Sequence, residues 1–438
     1  MKRAGGRISS AVLGAVLAVL VCTPSQAGEF NWKRYQGETI NFLSSNHPWA
    51  NAVLKQQSEF TALTGINIRV DTFQEAQMRQ RLVTVMQAKS SEVDLYMSLK
   101  SREGLQFFNA GWYADLKPLL DDKAATAPTY AFADFSPALV KGEEYSGKLT
   151  GIPLNIEGPV VYYRKDVFDK CKVAPPKALA EIEETARKIK ACDANITPWV
   201  SRGLKSAAPY TFSVFLHNLG GQYLASGKSN LSSKAGVEAL RYYSALLKDY
   251  GPPGVVNYTF YQISSLYREG KAAMAFEATN EMGSMMEGGA RLNDTGLLLL
   301  PAGPGGSHPT VIGWGLSLSA YSKRQGPAWF FMQWATSKEM QAKLALEGIA
   351  PPRASVSSSA DYQRWVKEQP VRQAWVAALG EMAKTGTSEV GPNMEQQPAA
   401  REAIGDAVNR ILLGQATPEQ AAAEADKLIN QLLEKEKK

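Results

Sequence analysis

Between Thr39 and Met97 the chain alternates strand-like and helix-like runs, and that alternation restricts it to a small set of folds. Thr39-Ile40-Asn41-Phe42-Leu43 reads as a strand. Trp49, Val53, Phe60 and Leu63 mark one face of the next helix, which Gly65 ends. Ile66, Ile68 and Val70 alternate with Asn67 and Arg69 as a second strand. Met78 to Met86 is helical again, and Val93 to Met97 is a third strand. Strands separated by helices predict an α/β fold with an open, mostly parallel sheet covered on both faces. Ligands of such sheets bind beyond the carboxyl ends of the strands. The loops Ser44–Trp49 and Ser98–Arg102 are therefore the first places to expect a site.

The segment from Gly147 to Phe168 has a different character. Leu149, Ile152 and Leu154 are apolar, Asn155 and Glu157 interrupt them, and Val160 to Tyr163 resume with β-branched and aromatic residues. A carboxylate between two strand-like runs is costly to bury without a partner. A crossover between two lobes would show this pattern if its polar middle faced a ligand.

The amino terminus reads as a secretory signal. Lys2, Arg3 and Arg7 precede an apolar run from Ala11 to Val21, and Ser25-Gln26-Ala27 is a small-x-small cleavage site. The run is short for a membrane span, and Cys22 lacks the small residues before it that lipidation prefers. Cleavage near Ala27 removes three basic residues and no acidic one, so the formal net charge falls from +6 to +3. No basic run interleaved with aromatics occurs, which argues against a nucleic-acid partner. Cys171 and Cys192 then remain, an even pair suited to one disulfide in an oxidising compartment, the alternative being two free thiols.

Gly147-Lys148, Gly151-Ile152-Pro153 and Tyr163-Arg164-Lys165-Asp166-Val167-Phe168 resemble a stretch shared by the extracellular solute-binding proteins of ABC importers, in their carbohydrate-binding group. Three further motifs follow in family order. These are Gly270-Lys271-Ala272-Ala273-Met274, then Leu300-Pro301 through Gly313-Trp314-Gly315 and Ser322-Lys323, and then Gly348 with Pro351-Pro352-Arg353. The resemblance implies a two-lobed α/β periplasmic-binding-protein fold with a hinge and an interlobe cleft. Residues 28–155 and about 301–355 would form one lobe, and 156–300 and about 356–438 the other. Crossings would lie near Asn155–Glu157, near Leu300–Pro301 and past Arg353. It also implies a periplasmic, monomeric protein that binds a sugar, oligosaccharide or polyol and delivers it to permease subunits.

Only three histidines occur, His47, His217 and His308, and no metal-binding, P-loop or nucleophile-elbow spacing is present. No cofactor is called for. Carboxylates are plentiful, so a secreted glycan-cleaving enzyme stands as the rival reading. A polyol or sugar site needs flat aromatic faces and planar hydrogen-bonding groups. Trp49, Trp199 and Trp314 lie in loop-like context, whereas Trp329 and Trp334 read as core. Glu157 matches a family crossing position that contacts hydroxyls, and Thr279 and Asn280 follow the Ala-Ala-Met strand where the family places ligand contacts. Asn46 and His47 lie on the first strand-to-helix loop, and Lys100 follows the third strand. Each of these also has a plain structural reading, as a cap, a loop polar group, a packed hinge residue or a solvated charge. If Lys100 and Arg353 both face the cleft, the ligand carries an anionic group, such as a glycerol phosphate or an acidic sugar.

Overall fold

A computed structural model describes Met1, Gly5 and residues 29–437. The expected leader, apart from those two isolated residues, lies outside the described part. Nine strands build two sheets: β1 (Thr39–Ser45), β2 (Asn67–Phe73), β3 (Leu95–Ser98), β4 (Ile152–Pro153), β5 (Pro159–Arg164), β6 (Thr197–Val200), β7 (Ala272–Ala278), β8 (Thr295–Leu298) and β9 (Gly315–Leu318). The first sheet has the order β2-β1-β3-β9-β4 and the second β8-β5-β7-β6.

The expected parallel pairing holds for only part of the fold. β1 runs parallel to β2, with Phe42 opposite Val70, and parallel to β3, with Phe42 opposite Leu95. β9 is antiparallel to both β3 and β4. In the second sheet β7 is parallel to β6 but antiparallel to β5, and β8 is antiparallel to β5. The reason lies in connectivity. A helix returns each of the first strands to the same starting edge, whereas β9 enters its sheet from the other lobe and so from the opposite end.

Each sheet anchors its own core. Ile40, Phe42, Leu95, Leu316 and Phe331 are buried together around the first. Val161, Trp199, Phe276 and Ile404 belong to one buried cluster on the second, and Val160, Tyr162 and Trp375 to another on its other face. Between the lobes, two stretches of chain run side by side. Leu154 donates its backbone N–H to the Trp314 carbonyl at 2.8 Å, and Glu157 and Ile312 exchange backbone hydrogen bonds at 2.9 and 2.8 Å. Glycine is required here, because a Cβ on Gly158 would lie 2.0 Å from the Thr310 carbonyl oxygen. The Gly/Pro stretch after Leu300 stays against the second lobe, where Gly305 donates to the Asn218 carbonyl. The segment paired with the first crossing is therefore Ile312–Trp314, some way beyond the expected Leu300–Pro301.

Cys171 and Cys192 are disulfide-bonded. The bridge joins the ends of the helices Lys165–Cys171 and Glu181–Cys192. No described helix is long and apolar enough to cross a membrane.

Candidate functional site

The carboxyl ends of β1, β2, β3, β6 and β7 all open toward the space between the lobes, and a cavity of about 70 Å³ lies there. Each strand is followed by a helix or turn whose first residues reach the cavity. After β1, His47 caps the helix Pro48–Leu54, its Nδ1 accepting from the Trp49 backbone N–H at 3.2 Å. A neutral ring that accepts at Nδ1 carries its proton on Nε2. Nε2 stands 2.9 Å from the side-chain amide of Asn280, which lies beyond β7 in the other lobe. An amide that turns its oxygen to this N–H satisfies both groups. Glu157, on the crossing, is 3.7 Å from the same nitrogen and accepts from Asn155 Nδ2 at 2.9 Å.

Trp314 precedes β9 and is buried beside the cavity. Its ring lies 5.2 Å from the His47 ring, and the Arg79 guanidinium sits 5.1 Å from its centroid. The indole thus has an imidazole and a cation as close neighbours.

Charged groups crowd the rest of the wall. Glu75 and Arg79 come from the first turns of the helix after β2 and pair with each other, and Arg79 Nε also donates to Glu103 at 3.2 Å. Burial works against ionising Glu75, but Arg79, Arg202 and Arg102 outweigh it and hold its carboxyl down at about 2. Arg202, just beyond β6, forms a bidentate pair with Glu277 and lies 4.4 Å from the centroid of the Tyr210 ring. Glu281 behaves in the opposite way. Burial, helped by the neighbouring Glu277 carboxylate, pushes its pKa up to about 8, while Ser264 donates to it at 2.7 Å. At neutral pH it is mainly a protonated acid and can donate a hydrogen bond.

Of the residues singled out from sequence, His47, Glu157, Asn280 and Trp314 line the cavity. The others do not. Trp49 is fully buried in the first core and Trp199 in the second, where it stacks on Phe276 at 5.9 Å. Lys100 turns inward to an ion pair with Glu143 at 3.0 Å and donates to Ser317 Oγ at 2.8 Å. Arg353 is an anchor for its own loop, donating to the carbonyls of Thr336, Ala131 and Tyr130 at 2.8, 2.9 and 3.0 Å. Thr279 is buried behind the wall, with its hydroxyl accepting from the Gly158 N–H at 3.3 Å. Asn46 is exposed and accepts from Asn51 Nδ2 at 2.7 Å. In each case a nearby protein partner already satisfies the polar group, or the ring fills core volume. The expectation of an anionic ligand through Lys100 and Arg353 loses its basis at those two positions.

Sequence reading missed Arg79, Arg202, Arg401, Tyr210 and Tyr261, all on the cavity wall, and marked the loop Ser98–Arg102 without singling out Arg102. Arg79 also follows a strand end, so the same rule could have found it. Arg401 comes from the distant helix Gln397–Leu412, and no local pattern marks it.

A family model for bacterial extracellular solute-binding proteins matches residues 44–342, a span that runs from the end of β1 through β9 and includes the crossing. The chain belongs to this family. Among curated solute-binding proteins it is 29% identical over 350 residues to an erythritol/L-threitol-binding protein of Mycolicibacterium smegmatis, covering 75% of this chain and 73% of that one. It is 27% identical over 303 residues to a mannitol-binding protein of Pseudomonas aeruginosa, covering 66% and 67%. The crystal structure of an ABC-transporter solute-binding protein of Agrobacterium vitis with bound D-mannitol superposes with a TM-score of 0.80 at 25% identity, over 91% of this chain and 99% of that one. As in that neighbour, the fold is the two-lobed α/β architecture of periplasmic solute-binding proteins. This solute-binding protein is a binding component of an ABC importer, and its family and relatives are transport proteins.

Proposed function

We propose that this protein captures a short polyol in the interlobe cavity and delivers it to ABC permease subunits. The observation that carries the reading is the composition and size of the cavity. Trp314 supplies a flat apolar face, while His47, Glu157 and Asn280 supply planar donors and acceptors suited to hydroxyl groups. A volume of about 70 Å³ has room for the equivalent of about five to seven waters. That suits a polyol of about four or five carbons better than a hexose chain or an oligosaccharide. The erythritol/L-threitol-binding relative supports a four-carbon polyol, and the mannitol-binding relative supports an acyclic polyol without that size limit.

The mechanism follows from where these groups stand. His47 and Trp314 belong to the first lobe, Asn280 and Arg202 follow strands of the second, and Glu157 lies on the crossing; Tyr210 stands on a second-lobe helix with its ring buried against the first core. A ligand that touches both lobes stabilises the closed arrangement by its differential contacts, and the permease reads that arrangement. The chain itself performs no bond-breaking step. Export to the periplasm with cleavage near Ala27, and action as a monomer, complete the reading.

Thermal unfolding against tetritols, pentitols, hexitols and disaccharides tests it. The expected result is the largest upward shift with a four- or five-carbon compound. A shift only with disaccharides or longer glycans rules out the short-polyol reading, and release of cleavage products from a glycan rules out a pure binder.

A further inference from the structure

One wall of the cavity holds more positive charge than the protein neutralises. Arg79, Arg102 and Arg401 come from three helices, Glu75–Gln87, Lys100–Asn109 and Gln397–Leu412. They lie close enough to repel one another. Burial and then Arg79 lower Arg102 to about 10, and burial followed by Arg102 lowers Arg401 to about 9. Arg79 pairs with Glu75 and Glu103. Among the described residues, the only carboxylate within 4.0 Å of Arg102 is that same Glu75, at 3.9 Å, and Arg401 has none. Arg401 instead donates to the Val390 carbonyl. Three guanidinium groups therefore face two carboxylates.

The remaining acids do not close the gap. Glu277 is engaged by Arg202, and Glu281 is mainly protonated at neutral pH. Glu402 acts on Arg102 only from beyond ion-pair distance. Glu157 sits beside His47 and is within 4.0 Å of none of these arginines. Three buried nitrogens, Arg79 Nη2, Arg102 Nε and Arg401 Nε, have no protein acceptor. Buried cationic donors without acceptors are strongly disfavoured, and an oxyanion is the group that satisfies several at once.

We propose that the ligand is a short polyhydroxy acid whose carboxylate is bound by Arg79, Arg102 and Arg401. The inference rests on the polyol reading of the same cavity and adds the charged end. One uncompensated guanidinium matches one carboxylate, whereas a phosphate ester brings up to two negative charges. Arg401 belongs to a helix packed on the second core and the other two arginines to the first lobe, so the carboxylate would itself tie the lobes together.

Isothermal titration of the full chain with four- and five-carbon aldonates, the matching alditols and the matching alditol phosphates tests the proposal. The expected result is about tenfold to a hundredfold tighter binding of an aldonate than of its alditol. Arg102→Gln and Arg401→Gln should each bring that ratio close to one, with circular dichroism reporting that the variants fold. Equal or tighter binding of the alditol, or a ratio unchanged in both variants, overturns the carboxylate subsite and leaves the polyol reading in place. Tighter binding of the phosphate overturns the single-charge assignment. If no aldonate, alditol or phosphate binds, both readings fall.

Discussion

His47 Nε2 and the side-chain amide of Asn280 meet at 2.9 Å across the cleft, one residue from each lobe. Both follow the carboxyl end of a strand, β1 and β7, so the two sheets present equivalent edges to each other. The contact spans the cleft and lies on the cavity wall. Asn280→Ala removes it together with a group suited to a ligand hydroxyl. Affinity is expected to fall by about 1 to 2 kcal/mol, or about fivefold to thirtyfold, with little change in the unfolding temperature of the ligand-free protein. Calorimetric titration beside a melting curve distinguishes this from a folding defect, since a purely structural Asn280 would lower the melting temperature and spare affinity.

Trp314 serves both the core and the cavity. It is buried to 2% exposure, and Arg79 and His47 pack on its ring. Trp314→Ala is therefore expected to destabilise the protein by about 3 kcal/mol as well as weaken binding. Trp314→Phe keeps a ring and separates the two effects. We expect it to fold at near wild-type stability and to lose about 1 kcal/mol of ligand affinity. Full affinity in Trp314→Phe would reduce Trp314 to a packing residue.

The difference between Lys100 and Arg102 shows where sequence reading stops. The alternation of strands and helices marks the loop after β3, and both cations lie in it or just beyond. Successive helical residues are about 100° apart around the axis, so i and i+2 point to different sides. Nothing in the local sequence says which side is the cleft. That depends on Glu143 and Ser317, which come from far along the chain and draw Lys100 inward. Trp49 and Trp199 fail for a related reason, because an aromatic next to a strand end serves equally well as core filler or ligand platform. Glu157 was legible as a carboxylate set between two apolar runs, where burial demands a partner, whereas Asn280 was reached only through the family's placement of contacts after the Ala-Ala-Met strand. Arg401 was not legible, since its role depends on a helix from the far end of the chain docking beside the first lobe.

The disulfide gives a prediction confined to one lobe. Cys171 and Cys192, 21 residues apart, tie two helices at the edge of the second core. Closing a loop of that length restricts the unfolded chain by about 3 kcal/mol. Reduction, or the double change Cys171→Ser and Cys192→Ser, should lower the unfolding temperature by several degrees while leaving ligand affinity near wild type, because neither cysteine approaches the cavity. An unchanged melting curve on reduction would mean that the bridge constrains little in the unfolded ensemble.

Glu281 should make stability depend on pH. Burial, with help from the Glu277 carboxylate, raises its pKa from the ordinary 4.5 to about 8, and hydrogen bonding from Ser264 and the charge of Arg202 do not reverse this. The folded protein therefore keeps a proton that the unfolded chain releases above about pH 4.5. The contribution is fully present below the unfolded value and is lost as pH rises through about 8. Denaturant midpoints should decline between about pH 5 and about pH 9. Glu281→Gln holds a neutral side chain of the same shape at every pH, so its midpoint should decline less, and at about pH 9 it should exceed wild type. Glu75 acts with the opposite sign. Its carboxyl is held at about 2, so its contribution is present above the ordinary 4.5 and is lost as pH falls through about 2. Between them the two carboxyls favour a stability maximum in the mildly acidic range. A wild-type midpoint that rises steadily to about pH 9, or a Gln variant that parallels it throughout, would show that Glu281 is already ionised in the folded protein.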